Sequence, residues 1–433
     1  MKASGHRAAW IAATATALFA GGGMLAMPAA SADQLHQAVP RVLYASPSVN
    51  GPRVGVSCQT AGFATIGAAV AAAKPGATVV ACPGTYHEDV VITSPITLIG
   101  KSATIDATGL TGAPTGAILG QAPYNGITIE SSHVTVEGFK VEGAEGEGIL
   151  AANPDPQPAT VAGTQLFTGT PLTDVRILNN DVTGNDLGNG NPASPYRFCT
   201  PAGGSDCGEG IHLLSVANSL VLGNKSIGNS GGILLTDEFG PTHDNRISGN
   251  LVLDNVLDCG ITIPSHSLGI DPTTGQPDPT FGGVYRNTVT DNIVTGNGTQ
   301  GFGAGIGVFA PAPFSASYDN LISGNIINGN GLAGISVHSH APNAYVDGNT
   351  FTRNVIGTNN VSGKDGADVS PKDTQTTGIL IWSAASLYHF TVTDNIIFRD
   401  AVGVWFTSST IEASGLATNH FHDVATPVDS DPS

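Results

Sequence analysis

The sequence predicts an all-β fold: a single-stranded right-handed parallel β-helix, a solenoid with a short N-terminal capping helix. Three repeated marks predict it. First, seven pairs of Asn with Asn or Asp five residues on recur along the chain: Asn180/Asn185, Asn224/Asn229, Asn250/Asn255, Asn292/Asn297, Asn325/Asn330, Asn349/Asn354 and Asn395/Asp400. Each pair brackets a strand of about three residues, with ends that tolerate left-handed backbone angles. Second, a Gly-aliphatic-x-aliphatic strand recurs, as in Gly210-Ile-His-Leu, Gly232-Ile-Leu-Leu, Gly305-Ile-Gly-Val and Gly378-Ile-Leu-Ile. Third, Gly126 to Gly148 and Gly210 to Gly232 each measure 22 residues, the length of one turn of three short strands.

The elements follow in order. Residues 1–32 read as a secretory signal: a basic start (Lys2, His6, Arg7), an apolar stretch broken by Gly21-Gly22-Gly23, and the small-x-small site Ala30-Ser31-Ala32. The mature protein is therefore expected to be secreted or periplasmic. Phe63 to Ala73 predicts a short amphipathic helix closed by Lys74-Pro75-Gly76. Thr78 to Ala81 predicts a strand, and Val90 to Ile99 an apolar run. The β-helix is expected over 33–415 and a loose tail over 416–433. Five cysteines in an exported chain predict two disulfides and one leftover; Cys58–Cys82 and Cys199–Cys207 are the favoured pairs with Cys259 a buried thiol, and sequence leaves the other pairings open.

The opening Phe63-Ala-Thr-Ile-Gly-Ala-Ala-Val, Val80-Ala-Cys-Pro-Gly-Thr-Tyr-His-Glu-Asp-Val and Ile96-Thr-Leu-Ile-Gly resembles the cap and first coils of the pectate-lyase-like superfamily. The later Asn-Gly-Asn repeats resemble the carbohydrate-binding coils of that superfamily and of periplasmic nitrous-oxide-reductase maturation factors. The resemblance implies a fold and a glycan partner. It does not imply one reaction, because many activities share the scaffold.

Charge narrows the partners. Sixteen basic residues face 34 acidic ones, a net charge of −18, which disfavours nucleic acid and anionic membrane. No mature stretch is apolar for long enough to span a bilayer. Extra residues enter near 151–172, 186–209, 265–286, 310–317 and 355–377, always beside the glycine strand, and are expected to wall a groove on that sheet.

Side chains alternate along a strand, so residues two, four and six after the glycine should point outward. Those columns carry His212, Phe309, His338, His340, Trp382 and the pair Glu238/His266, a set of rings and titratable groups suited to a sugar chain. If neighbouring windings stack about 4.8 Å apart, Glu238 and His266 are neighbours. Asp237 supplies a second carboxylate; the alternative for both acids is a solvated turn. Glu209 and Asp258 lie at the far end of the strand, too distant for Glu238 and placed instead to bind a second sugar. No third ligand stands beside His338 and His340, so no metal is assigned to them.

The leading expectation is a secreted enzyme cleaving a neutral or weakly charged polysaccharide or oligosaccharide by carboxylate-based hydrolysis or transglycosylation. Glu238 would be the acid/base, Asp237 the second carboxylate and His266 the tuner of Glu238. No Lys or Arg occupies the outward columns to neutralise a uronate. A Ca2+-assisted lyase stays open through Asp237, Glu238 and Asp244, with Ca2+ the one cofactor considered. Non-catalytic glycan binding or accessory work, and self-association into a homo-oligomer, are the further alternatives.

Overall fold

The computed structural model describes residues 42–49, 55–110, 125–154, 157–161, 164–185, 208–266, 282–341, 343–365, 372–383, 388–407 and 411–430. The expected leader 1–32 and the expected pair Cys199/Cys207 lie outside them. The chain winds into a parallel β-helix. Eleven strands, one per turn, stack in one sheet: Val90–Ile92, Ile127–Ile129, Ile149–Ala152, Glu209–Leu214, Gly231–Thr236, Ile261–Pro264, Ile306–Ala310, Ile335–Ser339, Thr377–Ser383, Val402–Thr407 and Thr426–Asp429. The Asn-bounded strands form a second, 21-stranded sheet that turns a corner between its two halves.

The capping helix runs Ile66–Ala72, three residues shorter at its start than the sequence predicts, because Thr65 caps it and accepts from the Ala68 N–H. Glu88, from the next coil, accepts from the Ile66 and Gly67 N–H groups at 2.7 and 2.9 Å and satisfies two more open donors. Thr78–Ala81 is a strand as expected. The run 90–99 divides into Val90–Ile92 and the start of Thr97–Asp106, with Pro95 at the break. Cys58 and Cys82 are bonded, their Cα atoms 5.5 Å apart, and Cys259 is a buried thiol whose pKa is pushed up by burial.

The interior is a stack of aliphatic columns. Ile211, Ile233, Ile261, Ile306, Ile335, Ile379 and Val404 occupy one position on successive turns and are fully buried. The glycine preceding each column is required by close approach. A Cβ on Gly232 would lie 2.1 Å from the Gly260 carbonyl oxygen and 2.3 Å from Val252 Cγ1.

The asparagines play a different part from the one expected. Left-handed angles fall on the residue before each one: Gly223 before Asn224, Gly249 before Asn250, Asp291 before Asn292, Arg353 before Asn354, Arg399 before Asp400. The asparagines themselves are buried and form ladders along the axis. Asn250 Nδ2 donates to Asn292 Oδ1 at 2.9 Å, Asn292 to Asn325 at 3.0 Å, Asn325 to Asn354 at 3.0 Å and Asn354 to Asn395 at 3.0 Å. Each also bonds the backbone of the preceding turn, as Asn292 Nδ2 does to the Ile247 carbonyl at 3.0 Å. A parallel ladder runs from Asn185 through Asn229, Asn255, Asn297, Asn330 and Asn359 to Asp400.

A third ladder, Asn245–Asn287–Asn320–Asn349, edges a five-stranded sheet of two-residue strands that gives the middle turns a fourth side. Asn349 belongs to this ladder, so Asn354 pairs in sequence with Asn359. The tail is also better ordered than expected. His420–His422 pairs with Ile396–Phe398, and Thr426–Asp429 adds the last strand to the glycine sheet.

Candidate functional site

The register puts the outward residues in line. Phe309, His338 and Trp382 are direct neighbours on three turns. The Phe309 and His338 rings are 4.0 Å apart and His340 meets Trp382 edge-on at 5.4 Å. His338 Nδ1 and His340 Nε2 are in direct contact. Burial and the neighbouring His340 hold His338 well below the usual imidazole range, so it is neutral at physiological pH. The ribbon is not an open cleft throughout. Leu380 and Trp405 pack with Ala333 and Val402 under Trp382, and Leu150, Ala152, Leu214 and Phe239 form a second buried patch. A position that points away from the core is thus still apolar and covered here.

At the strand exit two turns earlier, His266 Nδ1 lies 2.7 Å from Glu238 Oε1, as the predicted register requires. Burial raises the Glu238 carboxyl, but the His266 hydrogen bond and charge, with His212 and Thr236 adding to them, hold it at about 2. Glu238 is therefore ionised across the physiological range. A carboxyl held this low is a poor proton donor.

Asp237 does not face the ribbon. It is the fifth residue after Gly232, on the inward parity, and is 0% exposed. Its carboxylate accepts from Ser265 Oγ at 2.8 Å, from the His266 N–H at 2.8 Å and from the Gly283 N–H. This corrects its placement as second carboxylate: it anchors the segment that carries His266. Asp244 is also removed from the expected Ca2+ set, because Arg286 grips it at 2.9 and 2.7 Å.

Asp258 lies at the entry edge, and burial raises its pKa. Glu209 and Asp258 flank bare Gly231: a Cβ there would meet Glu209 Oε1 at 3.0 Å and Asp258 Cβ at 3.3 Å. His212 extends this cluster. Its Nδ1 is 3.0 Å from Glu147 Oε1 and its Nε2 is 2.8 Å from Thr236 Oγ1. Contacts therefore link Glu147, His212 and Thr236 on three successive turns.

Sequence reasoning passed over Glu147 and Thr236. Glu147 was visible in principle, since it precedes Gly148 as Glu209 precedes Gly210; Thr236 carried no sign beyond its outward parity.

Comparisons with known proteins agree with the fold. A family model for NosD, described as a periplasmic copper-binding protein, matches residues 282–431. That stretch holds the aromatic ribbon but neither member of the dyad. Solved structures of like form include the A-module of a mannuronan C-5 epimerase from Azotobacter vinelandii, 14% identical with TM-score 0.49 and covering 90% of this chain and 100% of that one. An alginate lyase from Paenibacillus is 12% identical with TM-score 0.44, covering 90% and 98%. A family 28 exopolygalacturonase from Yersinia enterocolitica is 12% identical with TM-score 0.44, covering 92% and 80%. No curated protein matches the chain. The chain itself has a parallel β-helix architecture.

Proposed function

We propose that this protein is an exported carbohydrate-active enzyme that binds a polysaccharide along the outer ribbon of the glycine sheet. The Glu238–His266 dyad is its proton-transfer centre. His266 gives or takes the proton, and Glu238 orients the ring and stabilises its charged form. The observation that carries this reading is the 2.7 Å dyad on the two turns that precede the Phe309–His338–Trp382 row of the same sheet. The rings offer apolar faces to a sugar and the dyad offers it a base.

A two-carboxylate hydrolysis is less well served, because Asp237 is committed to the backbone of the His266 segment. Hydrolysis would have to recruit Glu209 or Asp258. Elimination on a uronate would need, besides a base and an acid, a cation to neutralise the sugar carboxylate, and no Lys or Arg stands in the outward columns. The test is incubation with neutral and uronate glycans, following new reducing ends and absorbance of unsaturated products. His266→Gln should abolish either signal at unchanged fold; near-normal turnover in that variant would overturn the assignment.

A second reading has its own support. The family match covers the ribbon alone, as expected for a glycan-binding or accessory protein in which the dyad is structural. Retention on a glycan that is recovered intact after long incubation favours that reading.

A further inference from the structure

We propose that Glu147, Glu209 and His212 bind one divalent transition-metal ion at the entry edge of the glycine sheet. One ligand atom from each side chain lies within 4.8 Å of the other two. Two neighbouring turns supply them, held in register by the pairing of Ile211 with Ile149 and His212 with Leu150. Glu147 is 5%, Glu209 1% and His212 9% exposed. Two buried carboxyl groups and one imidazole are donor types that a divalent transition metal takes.

The imidazole is held at both ring nitrogens: His212 Nδ1 is 3.0 Å from Glu147 Oε1 and Nε2 is 2.8 Å from Thr236 Oγ1. These contacts fix the ring with Nδ1 turned towards the two carboxyl groups, and a metal ion taken up there displaces any proton held between Nδ1 and Glu147.

The surroundings are those of a metal ligand set. The far nitrogen of the histidine is fixed by a hydrogen bond, and the second oxygen of Glu147 accepts from the Glu209 backbone N–H. One nitrogen and two carboxylate donors suit Zn2+ or Mn2+ better than Ca2+, which takes oxygen alone. The absence of a Cβ on Gly231 lets the Glu209 side chain pack close against the next turn.

The experiment is calorimetric titration of chelator-treated full chain with Zn2+ and with Mn2+, the latter also followed by electron paramagnetic resonance. One equivalent should bind. His212→Gln and Glu147→Gln, with circular dichroism confirming their fold, should each weaken it about tenfold or more, and Ca2+ should not compete. Nitrogen-15 spectra of the unmutated protein decide independently of any variant: on adding Zn2+, the His212 Nδ1 resonance should move to the range of a metal-bound nitrogen. No binding, unaltered binding in both variants, or a His212 ring protonated on both nitrogens throughout the titration would overturn the proposal. None of these readouts uses turnover, so the outcome is separate from that of the enzymatic reading.

Discussion

Replacing Asp400 with Asn should stabilise the protein at alkaline pH and remove much of its pH dependence. Asp400 ends the second ladder at a position where the six preceding turns place an asparagine. Its Oδ1 accepts from the Asn359 N–H at 3.2 Å, while among the described residues Oδ2 is buried without a partner. Asp400 is 3% exposed, and burial, together with the nearby charge of Asp373, lifts its carboxyl to about 7.

Because the folded value lies above the unfolded one, the protonated acid supports the fold at low pH. That support is lost as pH rises from about 4 through 7. Against an ordinary value of 3.8, ionising the folded carboxyl costs roughly 4 kcal/mol at about 1.4 kcal/mol per tenfold change. A neutral amide avoids this cost, so D400N should be more stable by about 2–4 kcal/mol at alkaline pH, the lower figure allowing for relaxation of the last turns, and nearly equal to the parent at acid pH. Urea unfolding of both proteins across the acid-to-alkaline range, read by circular dichroism, measures the difference. An equal gain at every pH would show that the amide acts by hydrogen bonding alone. No gain at alkaline pH would refute the argument from buried charge.

Other outcomes follow from the same structure. Asn292→Ala removes an acceptor for two Asn250 donors and leaves buried amides unpaired, so it should cost about 2–4 kcal/mol in urea unfolding; a loss below about 0.5 kcal/mol would deny the ladders their stabilising part. Glu238→Gln removes the partner of His266, and the imidazole titration followed by NMR should move to lower pH in that variant, because the neutral amide no longer favours the charged ring. Trp382→Ala should weaken glycan retention by about tenfold, the loss of one aromatic contact, at unchanged stability of the inner columns. Opening the Cys58–Cys82 bond should cost about 2–4 kcal/mol in the first turns, read as earlier thermal unfolding in reductant.

Much of the fold was legible because a solenoid repeats its local physics. Period-two alternation, glycine at each tight crossing and asparagine at each corner recur often enough to be seen in one chain, and they located the outward columns correctly. Once the turns are known to stack in register, contacts between Glu238 and His266, or among Phe309, His338 and Trp382, follow from counting along the chain. The reason given for the asparagines was wrong, since backbone angle and buried hydrogen bonding both select Asn at a corner. Only the folded backbone separates the residue with positive φ from its neighbour in the ladder.

What the sequence determined by itself is therefore the stack: which residues share a column, and which columns face out. Only the tertiary structure decided which outward groups meet, how they are buried and what charge they hold. Asp237 and Glu238 are adjacent in sequence, yet one anchors backbone amides inside and the other pairs with an imidazole outside. Glu147 reaches His212 across 65 positions. Register is a one-dimensional property that repetition writes into the chain. The ionisation of a carboxylate depends on solvent exclusion and on partners brought from several turns, which no local pattern records.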